Sequence, residues 1–472
     1  MWSWTVAENG TSFIPDRALL HAVEYPSRAT VYVVLTLASI LFLSGYTRSG
    51  TQKLAPGVMV VGGNGKQTIR ANRERFREHA KEMLEEGYRK SDGGFFYVPS
   101  PLGERLMIPV RYLEELKAAP VEEVDFVATF IEREIVDSFA DLFPACEAML
   151  TQIVARVSSC MFGGTTLSHN EEWVKSSIDF AIDGFIGAQK IKKYPEFVKP
   201  LVARFIPEIR KIAAHYEAAE AAAIPMLESR RRTGETATDL LCWMAEQAKG
   251  EEQDLRFLAG ILLKVSFAAI HTSAAAPAQL LYDLCEHPEF IEPLREEVNN
   301  AIGHDGLIDK SGFMRMAKMD SFMKESQRFN PLLLITFERV IHRPLTLSSG
   351  FTIPAHTTIG IPTQAITMDE TLYPSPGAFD PFRFSKMREE RPEMDGRAQY
   401  VASNPASLGF GYGRHACPGR FFAAQEIKAI MAYILQNYDL RFPAGQGRPE
   451  SLRVETQFLP HPGATVEFRR RS

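Results

Sequence analysis

The sequence predicts a mainly α-helical body with small β-sheets, preceded by one transmembrane helix. Three observations carry this. Apolar residues recur every three or four positions in residues 72–91, through most of 125–330, and again after 420. Short β-leaning stretches lie beside turn residues near 95–110, 334–364 and 464–468. A run of 19 residues from Ala29 to Thr47 holds no charge and is bracketed by Arg28 and Arg48.

As a helix that run spans about 28 Å, close to a bilayer core of about 30 Å. No basic segment leads into it, which argues against a cleaved signal peptide. Upstream charges nearly cancel, whereas Arg48, Lys53, Lys66 and Arg70 follow before any acid. The positive-inside bias therefore places the C-terminal body in the cytosol. The expected organisation is a short lumenal N-terminus (1–28), an anchor (29–47) and a cytosolic body (54–472), single-pass in the endoplasmic reticulum membrane, with lipid as a partner. Asn9-Gly10-Thr11, the one glycosylation sequon in the chain, falls on the lumenal side, so Asn9 is the expected acceptor.

With 45% apolar and 24% charged residues the chain can bury a large core. Its net charge of -5 gives no general attraction to phosphate backbones and speaks against nucleic acid as a partner. Cys146, Cys160, Cys242, Cys285 and Cys417 show no CxxC spacing, which excludes a disulfide scaffold and a cysteine-built zinc site.

In chain order, Lys53–Gly57 forms a Pro/Gly hinge. Phe76, Ala80, Leu84 and Tyr88 then mark one face of a helix. Phe95–Val98 and Leu106–Val110 read as a hairpin. A long apolar helix covers Leu258–Ser273. Glu325 and Arg328 share a helix face at i,i+3 spacing. Leu345–Leu347 and Phe351–Pro354 flank a Ser-Gly turn, and Ala464–Phe468 alternates like an edge strand.

The most specific stretch is Phe410–Arg420, FGYGRHACPGR. An apolar-periodic run follows, in which Phe421, Ala424, Ile427, Met431, Ile434 and Leu435 mark a buried face. Cys417 thus stands at a helix N-terminus, where unpaired N–H groups and the helix dipole stabilise a thiolate. Gly411, Gly413 and Gly419 let the backbone approach something large and flat.

This loop resembles the haem-binding signature FxxGxRxCxG of the cytochrome P450 family: Phe410, Gly413, Cys417 and Gly419 match, and His415 stands where arginine is usual. The resemblance implies a P450 fold, haem with Cys417 as its axial thiolate, and a propionate contact from His415. ESQR, with Glu325 and Arg328, resembles the family's ExxR; FDPFRF supplies its PxRF arginine, Arg383. These three are implied to assemble the haem pocket, and Arg339 is implied to serve a propionate unless it is an ordinary strand arginine. The segment AAIHTS resembles the oxygen-activation motif, with Ala269 in place of glycine and His271 in place of an acid. Thr272 is implied to be catalytic, while His271 either relays protons or fills a buried helix position. The apolar run Pro331–Phe337 is implied to face the substrate.

The chain carries no GxGxxG motif, so its electrons must come from a partner; an NADPH-dependent cytochrome P450 reductase is implied. The motif style is similar to that of fungal ent-kaurene-oxidase-like enzymes, which implies a haem-thiolate monooxygenase acting on a hydrophobic, terpenoid-type metabolite. One departure from the family stands out. Only some 30 residues separate the helix near Val110 from that at Leu150, so the region of helices B to D is shortened and no WxxxR helix is found. Two other readings therefore stay open: an inactive membrane-tethered remnant of the fold, and an isomerase or dehydratase needing no reductase.

Overall fold

The protein is described by a computed structural model over residues 54–116, 124–125 and 146–471, apart from positions 64, 101–102, 304–307 and 455. The expected anchor at 29–47, Asn9, and most of the shortened stretch between 117 and 145 lie outside the described residues.

The sheet forms where the sequence turns β-rich. β1 (Met59–Val60), β2 (Phe96–Ser100), β3 (Gly103–Met107), β4 (Val124–Asp125), β5 (Ile335–Ile341) and β8 (Thr357–Pro362) join in the order β1-β2-β3-β8-β5-β4. Alternate residues of β2 point to opposite faces, as strand geometry requires. Phe96 and Val98 pack with Phe76, Met83 and Leu84 of helix α1 (Lys66–Lys90). Tyr97 joins Leu106, Ile359 and Ile361 in a second apolar cluster. The turn between residues 345 and 354 is a small hairpin, β6 (Leu345–Thr346) with β7 (Thr352–Ile353). Near the C-terminus, β9 (Tyr438–Arg441) pairs antiparallel with β12 (Glu467–Arg470), and β10 (Leu452–Val454) with β11 (Gln457–Leu459). The final strand thus begins later than the alternation suggests, because Ala464 and Val466 are taken into the core.

The helical layer consists of α2 (Cys146–Ser168), α3 (Glu171–Lys192), α4 (Pro207–Thr233), α5 (Leu240–Gln247), α6 (Leu255–Glu286), α7 (Ile291–Ala301), α8 (Ala317–Phe329), α9 (Arg383–Glu390) and α10 (Arg420–Asn437). Side-chain caps set three of the starts: Asn170 accepts from Trp173 N, Asp239 from Cys242 N, and Asp254 from Arg256 N. The alanine-rich stretch of α4 lets that helix approach its neighbours closely, and Ala219 and Ala223 are fully buried in one cluster with Trp173 and Leu262. A buried polar cluster ties α3 to α4. Asp183 pairs with His215 at 2.9 Å and with Lys211 at 3.1 Å, and the other His215 nitrogen meets Ser176 Oγ at 3.1 Å.

The long apolar helix extends further than expected, running through a buried Pro277 to Glu286. A proline costs an internal helix hydrogen bond, and here tight packing around residues 273–284 offsets that loss. Among the described residues α6 alone is long and apolar enough to cross a membrane. Yet α2, α3, α4, α5, α8 and α10 all pack against it, which makes it the core helix of the body.

Candidate active site

The cysteine loop is shaped by its glycines. Gly411 and Gly413 adopt φ of +71° and +72°, a left-handed conformation that disfavours other residues. The chain then folds back so that Cys417 N donates to Phe410 O at 2.8 Å and Ala416 N to Gly413 O at 3.1 Å. Phe410 anchors the loop with its ring edge-on to Tyr400, centroids 5.1 Å apart. Cys417 is a free, half-buried thiol three residues before α10. Arg420 closes the turn by donating to Cys417 O at 2.7 Å. A side chain at Gly419 would put its Cβ 4.0 Å from Sγ, so the glycine leaves the space beside the sulfur free of a side chain. His415 is half-buried in the same turn.

The middle of α6 carries the second feature. Ile270, Ser273 and Ala274 are buried, whereas Ala268 and Thr272 are exposed, one helical turn apart. Thr272 Oγ1 donates to Ala268 O at 2.7 Å, with Ala269 O at 3.4 Å. Such back-bonding opens a helix locally. His271 turns toward α3, its Nε2 lying 3.1 Å from Ile178 O. Burial lowers its pKa, so the neutral ring is favoured and Nε2 serves as the donor to that carbonyl.

Glu325, Arg328 and Arg383 do meet. Arg328 on α8 donates from Nε and Nη2 to the two Glu325 oxygens at 2.9 and 2.7 Å. Arg383, which opens α9, places Nε 3.2 Å from both. The remaining guanidinium protons go to carbonyls: Thr367 and Pro376 accept from Arg328, and Pro374 and Ala378 from Arg383. Asp380 N adds a donor to Glu325. The carboxylate is wholly buried and fully satisfied, so the network is a scaffold.

Arg339 is buried on β5, over the Phe337 ring at 4.2 Å and donating to Glu338 O at 2.7 Å. Two expectations are corrected. Of the run Pro331–Phe337 only Leu332 and Leu333 remain half-buried, because Leu334 and Ile335 pack into the cluster around Phe76 and Phe337 into that of Tyr97 and Ile359. Phe421 is 56% exposed, since the first turn of α10 presents it outward while Ala424, Ile427 and Met431 are buried.

The sequence reading missed Glu426. It is buried on α10, accepts from Ser158 Oγ of α2 at 2.9 Å and is hydrogen-bonded by Ser273 of α6. Burial pushes its carboxyl up to about 7, against the lowering effect of the two serines. An acid one position before Ile427 and four before the buried Ile430, on the inward face of an apolar helix, was the available signal.

A free thiol at a helix N-terminus, a side-chain-free flank at Gly419 and an exposed hydroxyl on the core helix fit a flat, iron-holding macrocycle bound through Cys417. The comparisons agree. The Cytochrome P450 family model matches residues 140–468. A cytochrome P450 monooxygenase of Emericella nidulans is 33% identical over 451 residues, covering 84% of each chain. An ent-kaurene oxidase of Gibberella fujikuroi is 34% identical over 356 residues, covering 74% of this chain and 70% of that one. In the fold comparison, the crystal structure of a cytochrome P450DA heme domain matches with a TM-score of 0.65 at 14% identity, covering 89% of this chain and 98% of that chain.

Proposed function

The chain belongs to the cytochrome P450 family of haem-thiolate monooxygenases, and from that premise we propose that it oxidises a hydrophobic, terpenoid-type small molecule with electrons from an NADPH-dependent cytochrome P450 reductase. The single observation carrying this reading is the exposed Thr272 hydroxyl in the core helix of a body whose free thiol heads α10. Haem bound through the Cys417 thiolate supplies dioxygen activation and the oxidation itself.

The protein's own residues do the rest. The loop holds Cys417 three residues before α10, where its sulfur would ligate the iron. Thr272 can release its bond to Ala268 O and offer the proton elsewhere. His271, tied to Ile178 O, supports packing of α6 on α3 rather than a relay. Arg339 and His415 are the propionate partners in this reading, and Glu325, Arg328 and Arg383 hold the α8–α9 scaffold.

Membrane association rests on the anchor and on the segment joining α3 to α4. Phe205 is 76% exposed and Leu201 61%, with Phe197 and Tyr194 exposed nearby and Lys193, Lys199 and Arg204 interspersed. Exposed apolar side chains among cations suit an interfacial lipid surface. We place the body on the cytosolic face of the endoplasmic reticulum, with Asn9 lumenal and glycosylated; an endoglycosidase mobility shift lost in Asn9→Gln tests this.

The deciding experiment is the reduced, CO-bound spectrum of membranes holding the full chain, followed by turnover of a terpenoid panel with reductase and NADPH. A thiolate-haem band with reductase-dependent oxidation is expected. A well-expressed chain without the band would overturn the enzyme reading, and undiminished conversion without NADPH would point to an isomerase.

A further inference from the structure

Most of α6 is enclosed by other helices, yet one stripe of it is not. Phe257, Lys264, Ala268 and Thr272 are exposed, and Ile261 and Val265 half-exposed, at helical spacing. At 100° per residue these positions fall within about one-third of the helix circumference. Five of the six are apolar or the hydroxyl already discussed. The sixth is a lysine, flanked by buried Leu262, Leu263 and Ser266. Lys264 has no ion pair or hydrogen bond among the described residues. It stands eight residues before Thr272, which is about 12 Å along a helix rising 1.5 Å per residue.

An ammonium set in an apolar wall is costly to leave without a counterion once a greasy ligand displaces water from around it. No acidic side chain among the described residues pairs with Lys264, so we assign the compensating charge to the ligand. We infer that Lys264 is a specificity-determining residue and that the substrate is an amphipathic hydrocarbon skeleton bearing a carboxylate, held with that group at Lys264 and its reacting carbon near Thr272, about two helical turns away. This deepens the monooxygenase reading and rests on it. A carboxylate is favoured over a neutral acceptor because a charge-assisted bond to lysine contributes more than a neutral one.

The test uses the haem-loaded full chain in detergent or nanodiscs and measures equilibrium binding by calorimetry and by the substrate-induced Soret shift. The probes are tricyclic diterpene carboxylic acids and a linear C16 acid, each paired with its methyl ester. In the wild type at least one acid should bind about tenfold more tightly than its ester. Lys264→Met should bring each such pair within about twofold by weakening the acid alone, and Lys264→Arg should retain the preference. No acid bound more tightly than its ester, or a preference that survives Lys264→Met, overturns the inference. The reduced-CO band is recorded on every sample. A normal band with no acid preference sinks this inference and leaves the monooxygenase reading standing; an absent band in the wild type sinks both.

Discussion

The Nε of Arg383 lies 3.2 Å from both carboxylate oxygens of Glu325, a side chain with no solvent exposure, across 58 positions of sequence. Arg328 holds the same two oxygens from the other side. One buried negative charge therefore compensates two cations, and the carbonyls of residues 367–378 absorb the surplus.

Glu325→Gln keeps the shape and removes the charge, leaving two guanidinium groups without a counterion. A loss of about 3 to 5 kcal/mol in folding stability is expected, as for other broken buried pairs. Denaturant unfolding of the full chain would show it, together with a low yield of haem-loaded protein. A stability change under 1 kcal/mol, a size typical of exposed positions, would contradict the buried-network account.

Cys417→Ala should abolish the reduced-CO band while leaving the fold in place. The thiol is only half-buried, and the loop is closed by backbone bonds from Cys417 N to Phe410 O and Ala416 N to Gly413 O. Far-ultraviolet circular dichroism of the variant should match the wild type. Loss of the helical signal would mean that the side chain, not the loop backbone, holds this region.

Thr272→Ala removes the hydroxyl that bonds Ala268 O at 2.7 Å and with it the proton donor on the open stripe. Product formed per NADPH consumed should fall by about a hundredfold, the lower end of what a positioned proton donor contributes. Hydrogen peroxide should rise in compensation. His271→Ala should change this ratio far less, because its ring is engaged with Ile178 O on α3.

Glu426 gives the fold a pH dependence. Burial raises its carboxyl from an ordinary 4.5 to about 7, so the folded protein keeps a proton that the unfolded chain releases. Its contribution is most favourable below pH 4.5, declines as pH rises from 4.5 to 7, and is constant above that window. Glu426→Gln should flatten this decline and, relative to the wild type, stabilise the protein at pH 8 by about 3 kcal/mol. Paired unfolding curves at pH 5 and pH 8 would show the difference, and parallel losses in both proteins would rule the assignment out.

Much of the site was legible before the fold was known. The i,i+3 pair Glu325 and Arg328, the glycines around Cys417 and the hydroxyl of Thr272 depend on helix periodicity and turn geometry, which are local properties. The hairpin of β2 and β3 was visible for the same reason. Phe421 was misread because periodicity identifies an apolar face without saying where along the helix the neighbouring elements end. Leu334 to Phe337 were misread because an apolar run suits a buried strand as well as a pocket wall.

Residue order thus established the cysteine loop, the charged pair and the helix that faces them, all of which arise from interactions within a few positions of the chain. Tertiary packing decided the rest. It chose Glu325 as the acid that Arg383 reaches, and it brought Ser158 to Glu426 across 268 positions. It also left the stripe with Lys264 and Thr272 as the open side of α6. Which face of a helix is covered depends on elements contributed from distant segments, and no periodicity within the helix encodes their arrival.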